Sequence, residues 1–72
     1  MNWIPERDYY RKSVGAFDLL VYPTHQKHWI WIISDPLSDF EDAGIEDTLF
    51  EAMSMAESEA TDYTLSALEA EL

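Results

Sequence analysis

No lysine or arginine follows Lys27 in this chain of 72 residues, and this charge layout limits how the second half can fold. Residues 1–34 carry four basic and three acidic side chains, whereas residues 35–72 carry twelve acidic side chains and no basic one. Helices in the second half therefore cannot use Glu–Lys pairs at i,i+4. We expect end caps and the burial of an apolar face to stabilise any helix there.

Length and composition favour one small domain. A chain of this size buries only about 60% of its unfolded surface, so a deep substrate cavity is not expected. Hydrophobic residues make up 47% of the chain, which separates it from disordered acidic tails. There is no cysteine, so packing alone must stabilise the fold. We interpret residues 1–72 as a single domain with a nearly neutral half, 1–34, and an acidic half, 35–72.

The first half predicts three antiparallel strands, over residues 9–14, 16–22 and 28–33. These segments are rich in aromatic and β-branched residues, and turn signals at Gly15 and at 23–27 separate them. Alternation places two sets of side chains each on one face of their strand, and either set could line a core: Phe17, Leu19 and Val21 on the second strand, and Trp29, Trp31 and Ile33 on the third. The opposite face is also partly apolar, with Leu20, Tyr22, Ile30 and Ile32. Either Trp3 and Ile4 cover it or it is an interface.

The second half shows helical signals. Asp35 followed by Pro36 is a good helix start and Gly44 a good helix end, which predicts a short helix over residues 36–43. Thr48 and Glu51 then match a capping box at the start of a longer helix.

The longer helix has one apolar stripe and a set of leucines outside it. The stripe recurs every three or four residues and consists of Leu49, Ala52, Met53, Ala56, Ala60, Tyr63 and Ala67. The leucines Leu65, Leu68 and Leu72 lie on the other side, which suggests a break near Thr61 or homodimerisation through these leucines. One continuous helix with an exposed leucine patch is the alternative. The predicted class is α+β, a three-stranded antiparallel sheet followed by two or three helices packed on one face.

No catalytic, metal or membrane motif emerges from the sequence. His25 and His28 have metal-like spacing, but they lie across a turn and lack partner ligands. Residues 35–46 lack the glycine and the oxygen ligand that an EF-hand loop requires at two positions. The longest apolar run, residues 29–33, is far too short to span a membrane. We expect a non-enzymatic protein without cofactor or metal, located in the cytoplasm.

The acidic surface is the most informative functional feature. If residues 35–72 were helical, their carboxylates would lie about 4.8 Å apart along the axis, compared with about 3.4 Å per phosphate on one DNA strand. Such a surface would not bind nucleic acid directly but would attract a basic nucleic-acid-binding groove. The candidate partner-binding residues are Asp39, Glu41, Asp42, Glu46, Asp47, Glu51, Glu57, Glu59, Asp62, Glu69 and Glu71. A merely solvated acidic face is the alternative.

In size, charge layout and architecture the chain resembles the small acidic anti-CRISPR proteins of phages and mobile elements that act as DNA mimics. The resemblance rests on no diagnostic motif. It implies a compact inhibitor, monomeric or homodimeric, acting in the cytoplasm of a bacterial host. The implied partner is a CRISPR effector subunit, in a type I surveillance complex, at its DNA-binding or PAM-reading surface.

A second hypothesis is a non-catalytic adaptor or inhibitor that binds through an aromatic sheet face. Its anchors would be Tyr9, Tyr10, Tyr22, Trp29 and Trp31, because aromatic residues are favoured at interface hot spots. The same rings are also candidates for the core of so small a domain. The solvent exposure of these rings on a shared face distinguishes the two uses.

Overall fold

The computed structural model describes the backbone of residues 3–70 and the side chains of residues 3–66. It contains one antiparallel sheet in the strand order β1-β2-β3-β4-β5, with a helix on one face. The predicted α+β class is therefore confirmed. The elements are β1 Ile4–Pro5, β2 Tyr10–Val14, β3 Phe17–Pro23, β4 Trp29–Ser34, β5 Glu41–Glu46 and α1 Leu49–Ala70. No helix within residues 3–70 combines the length and the apolar character that a bilayer span requires.

The three predicted strands correspond to β2, β3 and β4, each displaced by about one residue. Gly15 forms the β2–β3 turn with a positive φ of 59°, a conformation that glycine adopts without a steric penalty. The register pairs Leu19 with Ile33 and Val21 with Trp31, which brings the predicted core side chains onto one face. The short strand β1 adds a fifth member at the β2 edge.

The predicted helix over residues 36–43 is wrong. Asp35 does cap a local turn, since its Oδ1 accepts a 2.9 Å hydrogen bond from the Leu37 backbone N–H. The chain then reverses, and the Asp35 N–H donates to the Phe40 carbonyl oxygen at 3.2 Å. The segment that follows, β5, pairs along its whole length with β4. The second half is consequently part strand and part helix.

Gly44 does not end a helix but lies in the middle of β5, directly opposite Trp31. A Cβ atom at this position would lie 2.5 Å from Cε2 and Cζ2 of the Trp31 ring. The indole therefore occupies the space that a side chain on β5 would fill. Trp31 is only 5% exposed and its Nε1–H donates to Glu46 Oε2 at 3.2 Å, which fixes the ring across the strand.

The helix α1 is continuous, so the predicted break near Thr61 is wrong and the alternative of a single helix is confirmed. Its predicted capping residues do form the start. The Glu51 N–H donates to Thr48 Oγ1 at 3.1 Å, and the Thr48 hydroxyl donates to Glu51 Oε1 at 3.0 Å. No Lys or Arg lies in the last turn, so the cap and the packing of one face stabilise this helix.

The core lies between α1 and the face of the sheet formed by alternate residues of β3 and β4. Three alanines one turn apart, Ala52, Ala56 and Ala60, are completely buried and form the contact surface of the helix. On the sheet side the buried residues are Leu19, Val21, Trp31 and Ile33. The predicted stripe is confirmed as far as Tyr63, and the Ala67 side chain lies outside the described part of the chain. Trp3 packs against this core rather than covering the opposite face.

We expect Gly44→Ala to destabilise the fold by about 1–3 kcal/mol, because the added methyl group collides with a buried ring that has little room to shift. Urea unfolding followed by tryptophan fluorescence measures this change. Ala43→Ser adds one atom at the neighbouring, exposed position of the same strand and should change the free energy of unfolding by less than about 0.5 kcal/mol. Equal effects of the two substitutions would contradict the close contact.

Loss of the helix cap should also be measurable. Thr48→Ala removes the acceptor of the Glu51 N–H and should lower the free energy of unfolding by about 1 kcal/mol. The matched control is Thr61→Ala, an exposed position inside α1 whose hydroxyl bonds back to the Glu57 carbonyl at 2.9 Å. That change should be neutral or slightly stabilising, since alanine is the better helix former. A thermal unfolding midpoint unaffected by Thr48→Ala would show that the cap does not support the helix.

Candidate functional site

The predicted acidic residues with described side chains lie on three consecutive segments: the β4–β5 loop, β5 and α1. We call this set the acidic surface, and it consists of Asp39, Glu41, Asp42, Glu46, Asp47, Glu51, Glu57, Glu59 and Asp62. Five are exposed, and Asp42, Glu46, Glu57 and Glu59 are half-buried. The Glu69 side chain and Glu71 were also predicted for this site, but both lie outside the described side chains.

One group of acidic residues surrounds Tyr63, where α1 lies beside β5. The Tyr63 hydroxyl donates a 2.8 Å hydrogen bond to Asp42 Oδ2 and so ties the helix to the edge strand. This hydrogen bond raises the pKa of Tyr63 above its ordinary value of 10.0, because the ionised phenol would lose it. Partial burial and the negative charges of Asp42, Glu59 and Asp62 raise the pKa further. The carboxylates at this flank are therefore close enough to act on one phenol.

An aromatic cluster supports that flank. The Phe40 ring packs edge-on against the Tyr63 ring, with 4.8 Å between centroids, and Phe17 contacts both rings at 5.6 and 6.1 Å. Phe40 ends the β4–β5 loop, so its contact with Tyr63 holds the end of this loop against the helix. Edge-to-face pairs of this kind have defined geometry, which gives the loop a fixed place.

At the opposite end of β5 the acidic residues contact other parts of the fold. Glu46 accepts the Trp31 indole N–H, and Glu51 contacts the capping threonine. Asp47 lies 3.5 Å from His28 Nε2, and its side chain is 85% exposed. Glu46, Asp47 and Glu51, which were predicted to bind a partner, therefore also make contacts within the fold.

Glu57 faces the other flank of α1, toward β2. It forms an ion pair with Lys12, whose side chain is only 8% exposed and whose Nζ lies 5.8 Å from the centre of the Trp3 ring. Glu57 is therefore separated from the group around Tyr63 by the width of the helix. Its charge is balanced locally by Lys12, and we assign Glu57 to the stability of the fold rather than to the group around Tyr63.

The remaining predicted residues form the open part of the site. In the described part of the chain, the side chains of Asp39, Glu41, Glu59 and Asp62 make no hydrogen bond or ion pair. They lie along β5, the preceding loop and the adjacent side of α1, and we call these four residues the acidic flank. The basic residues lie elsewhere, in the β1–β2 connection, on β2 and in the β3–β4 turn, as Arg7, Arg11, Lys12 and Lys27.

The five aromatic residues of the second hypothesis do not share one face. Trp31 is buried beneath the helix, and Tyr10 and Trp29 lie on the same side of the sheet with their rings 6.4 Å apart. Tyr9 is 37% exposed and borders a groove with Tyr22 on the opposite side. The sheet face that remains open is the one predicted to be partly apolar through Leu20, Tyr22, Ile30 and Ile32. The sequence reasoning missed only the addition of Ile45, because that residue was not placed in a strand.

Among the residues with described side chains, no group of three His, Asp or Glu is arranged to hold a metal ion. Comparisons with protein-family models, with curated proteins and with solved structures found no match to this chain. The functional argument therefore rests on the chemistry of the surface itself.

The carboxylates around Tyr63 determine how its phenol titrates. Since its pKa is raised by folding, its contribution to stability is complete below about pH 10 and is lost as the pH rises through the higher folded value. Asp42→Asn removes the largest cause and should lower the pKa of Tyr63. The tyrosinate absorbance of the protein minus that of Tyr63→Phe isolates this phenol.

Asp39→Asn is the control for that titration, since it removes the same charge from a side chain that does not contact Tyr63. The pKa of Tyr63 should change much less in this variant than in Asp42→Asn. If both variants titrate like the unmodified protein, the hydrogen bond to Asp42 does not form in solution.

Proposed function

We propose that this protein is an anti-CRISPR-like inhibitor that mimics the charge of DNA and blocks the basic DNA-binding or PAM-reading surface of a CRISPR effector, first of all a type I surveillance complex. The observation that carries the proposal is the separation of charge within one small domain. Acidic side chains follow the β4–β5 loop, β5 and α1, while all four basic residues belong to residues 7–27. A solvated surface that served only solubility would mix the two signs.

The acidic flank is the part of this surface best suited to a basic groove. Its four carboxylates have no side-chain partner among the described residues, so a lysine or arginine of a target would not have to displace an existing contact. Rigid elements carry them, because β5 is paired to β4 and α1 is tied to β5 by Tyr63. Because the backbone beneath them is already ordered, binding costs only side-chain freedom, which favours affinity.

The mechanism that follows is competitive and stoichiometric. Carboxylates of the acidic flank pair with lysine and arginine side chains that otherwise contact phosphates, and the bulk of the domain keeps DNA out of the groove. Asp47 and Glu51 extend the negative potential toward the start of α1. Because the attraction is between exposed charges, affinity should fall as the salt concentration rises.

A competition experiment tests this mechanism. A type I surveillance complex is incubated with the protein before labelled target DNA is added, and the bound DNA is measured across a salt series. We expect DNA binding to be lost at low salt and to recover as salt rises. Unchanged DNA binding at every salt concentration would contradict the proposal for this class of target.

Charge reversal locates the surface. The double substitution Glu59→Lys and Asp62→Lys should weaken the competition about tenfold or more, because it places two positive charges against a basic groove. Glu6→Lys with Asp8→Lys changes the net charge equally but lies in the β1–β2 connection, and it should compete almost as well as the unmodified protein. If both double variants lose activity to the same extent, net charge rather than the acidic flank is responsible.

A further inference from the structure

The sheet has a second face that no element of the described chain covers. α1 packs on one side only, so the alternate side chains of β2 to β5 point away from it. Several of these are large and apolar, and the most accessible is Ile45, which is 62% exposed. We call this surface the open face. Contiguous exposed apolar patches often mark interaction sites.

The register divides the open face into three rows that run across the strands. The apolar row contains Tyr22, Ile30 and Ile45, and Tyr9 borders it beside β2. The middle row contains Arg11, Leu20, Ile32 and Ala43. The polar row contains Ser13, Asp18, Ser34 and Glu41.

We infer that the open face binds a second copy of this chain, forming a symmetric dimer in which the two sheets pack face to face. A two-fold axis parallel to the strands, between β3 and β4, places β2 of one copy against β5 of the other. Each row then meets the same row of the partner. An axis across the strands would instead place the apolar row on the polar row and bury Asp18 and Glu41 against apolar side chains, which is costly.

The parallel axis also matches the shape of the face. Tyr9, Leu20 and Tyr22 line a shallow groove at the β2–β3 side. Ile45, at the β5 side of the same face, is the most exposed aliphatic side chain there. The symmetry places Ile45 of each copy over the groove of the other, so one patch supplies both the projection and the recess. A two-fold interface requires this kind of self-complementarity.

For two copies of this chain, charge favours contact through this face and in this orientation. Each copy carries a formal charge of -11, yet the open face holds only one basic and two acidic side chains, Arg11, Asp18 and Glu41. Contact through it keeps α1, with Glu59 and Asp62, pointing outward and places Glu41 of the acidic flank at the rim. The axis places Arg11 opposite Ala43 of the second copy, about 6.8 Å along the strand from that copy's Glu41. A side chain as long as arginine reaches that distance. Arg11 Nε already pairs with Glu6 Oε2 of its own chain at 3.1 Å, so the two symmetric ion pairs at the rim use the remaining N–H groups of the guanidinium.

The size of the face sets the strength of the dimer. Four strands about 4.8 Å apart and about six residues long, with Ile4 and Tyr9 at the margin, give about 1,000 Å² for the two copies together. This lies at the lower limit for specific interfaces, so the dimer should be weak, with a dissociation constant in the micromolar range. The inference does not depend on the proposed function, because Glu41 is the acidic-flank residue that lies on the open face, at its rim, and sedimentation of the protein alone involves no CRISPR effector.

Sedimentation equilibrium tests the dimer. From about 1 to 100 µM the mass should rise from 8.4 kDa toward twice that value. Ile45→Glu should keep the protein monomeric over this range while leaving the thermal unfolding midpoint of dilute protein nearly unchanged, since the side chain is exposed. The matched control is Leu65→Glu, which adds the same charge at a 53% exposed leucine on α1 and should dimerise like the unmodified chain.

Two results would overturn the inference. One is an unmodified protein that remains monomeric at the highest concentration. The other is a dimer that Leu65→Glu dissociates and Ile45→Glu does not, which would place the contact on the outer side of the helix instead.

A charge exchange tests the orientation. Arg11→Glu and Glu41→Arg should each weaken the dimer about tenfold, because each brings like charges together at both rim positions. The double variant restores opposite charges and should recover most of the affinity. Failure of the double variant to recover would overturn the strand-parallel axis.

Discussion

The packing of three alanines against four large side chains determines most of this structure. Ala52, Ala56 and Ala60 bring the helix backbone close to the sheet, and the volume of the core is supplied from β3 and β4. A chain with no basic residue after Lys27 has few other means of stabilising a long helix. Burial of this stripe, the threonine cap and the two flanking contacts, Tyr63 with Asp42 and Lys12 with Glu57, together hold α1 in place.

Periodicity predicted the parts of the fold whose own side chains build the core. β3 and β4 alternate clearly, and the alanine stripe has a regular helical spacing. β5 was missed because its inward positions are Asp42, Gly44 and Glu46, none of which is apolar. The Trp31 indole fills the space above that strand. The apolar side chain that covers β5 therefore belongs to β4, and the sequence of β5 itself shows no apolar alternation on its inward side. The Asp35–Pro36 pair and Gly44 have the residue types of a helix start and a helix end, so the sequence predicted a helix between them.

The sequence predicts that the candidate site is acidic, but it does not predict how the carboxylates are arranged in space. The absence of bases after Lys27 indicated an acidic surface, and the named carboxylates with described side chains lie on the β4–β5 loop, β5, α1 and the short connection before α1. The sequence does not tell which carboxylates are used internally. Glu46 and Glu57 are engaged by Trp31 and Lys12, residues 15 and 45 positions away in the chain, so only the tertiary fold separates them from the acidic flank.

The two surfaces have opposite physical requirements, and they share Glu41 at the edge of the sheet. Contact through the acidic flank is favoured by low salt, whereas two chains of charge -11 approach each other more easily when salt screens their repulsion. Packing the open faces together directs the two helices to opposite sides of the dimer. Each copy then presents Glu59 and Asp62 on α1 outward, and one dimer can engage two basic grooves without either blocking the other. The effective concentration of the second flank rises only if a target offers two such grooves within reach, so dimerisation would strengthen binding to multisubunit targets more than to single-site ones.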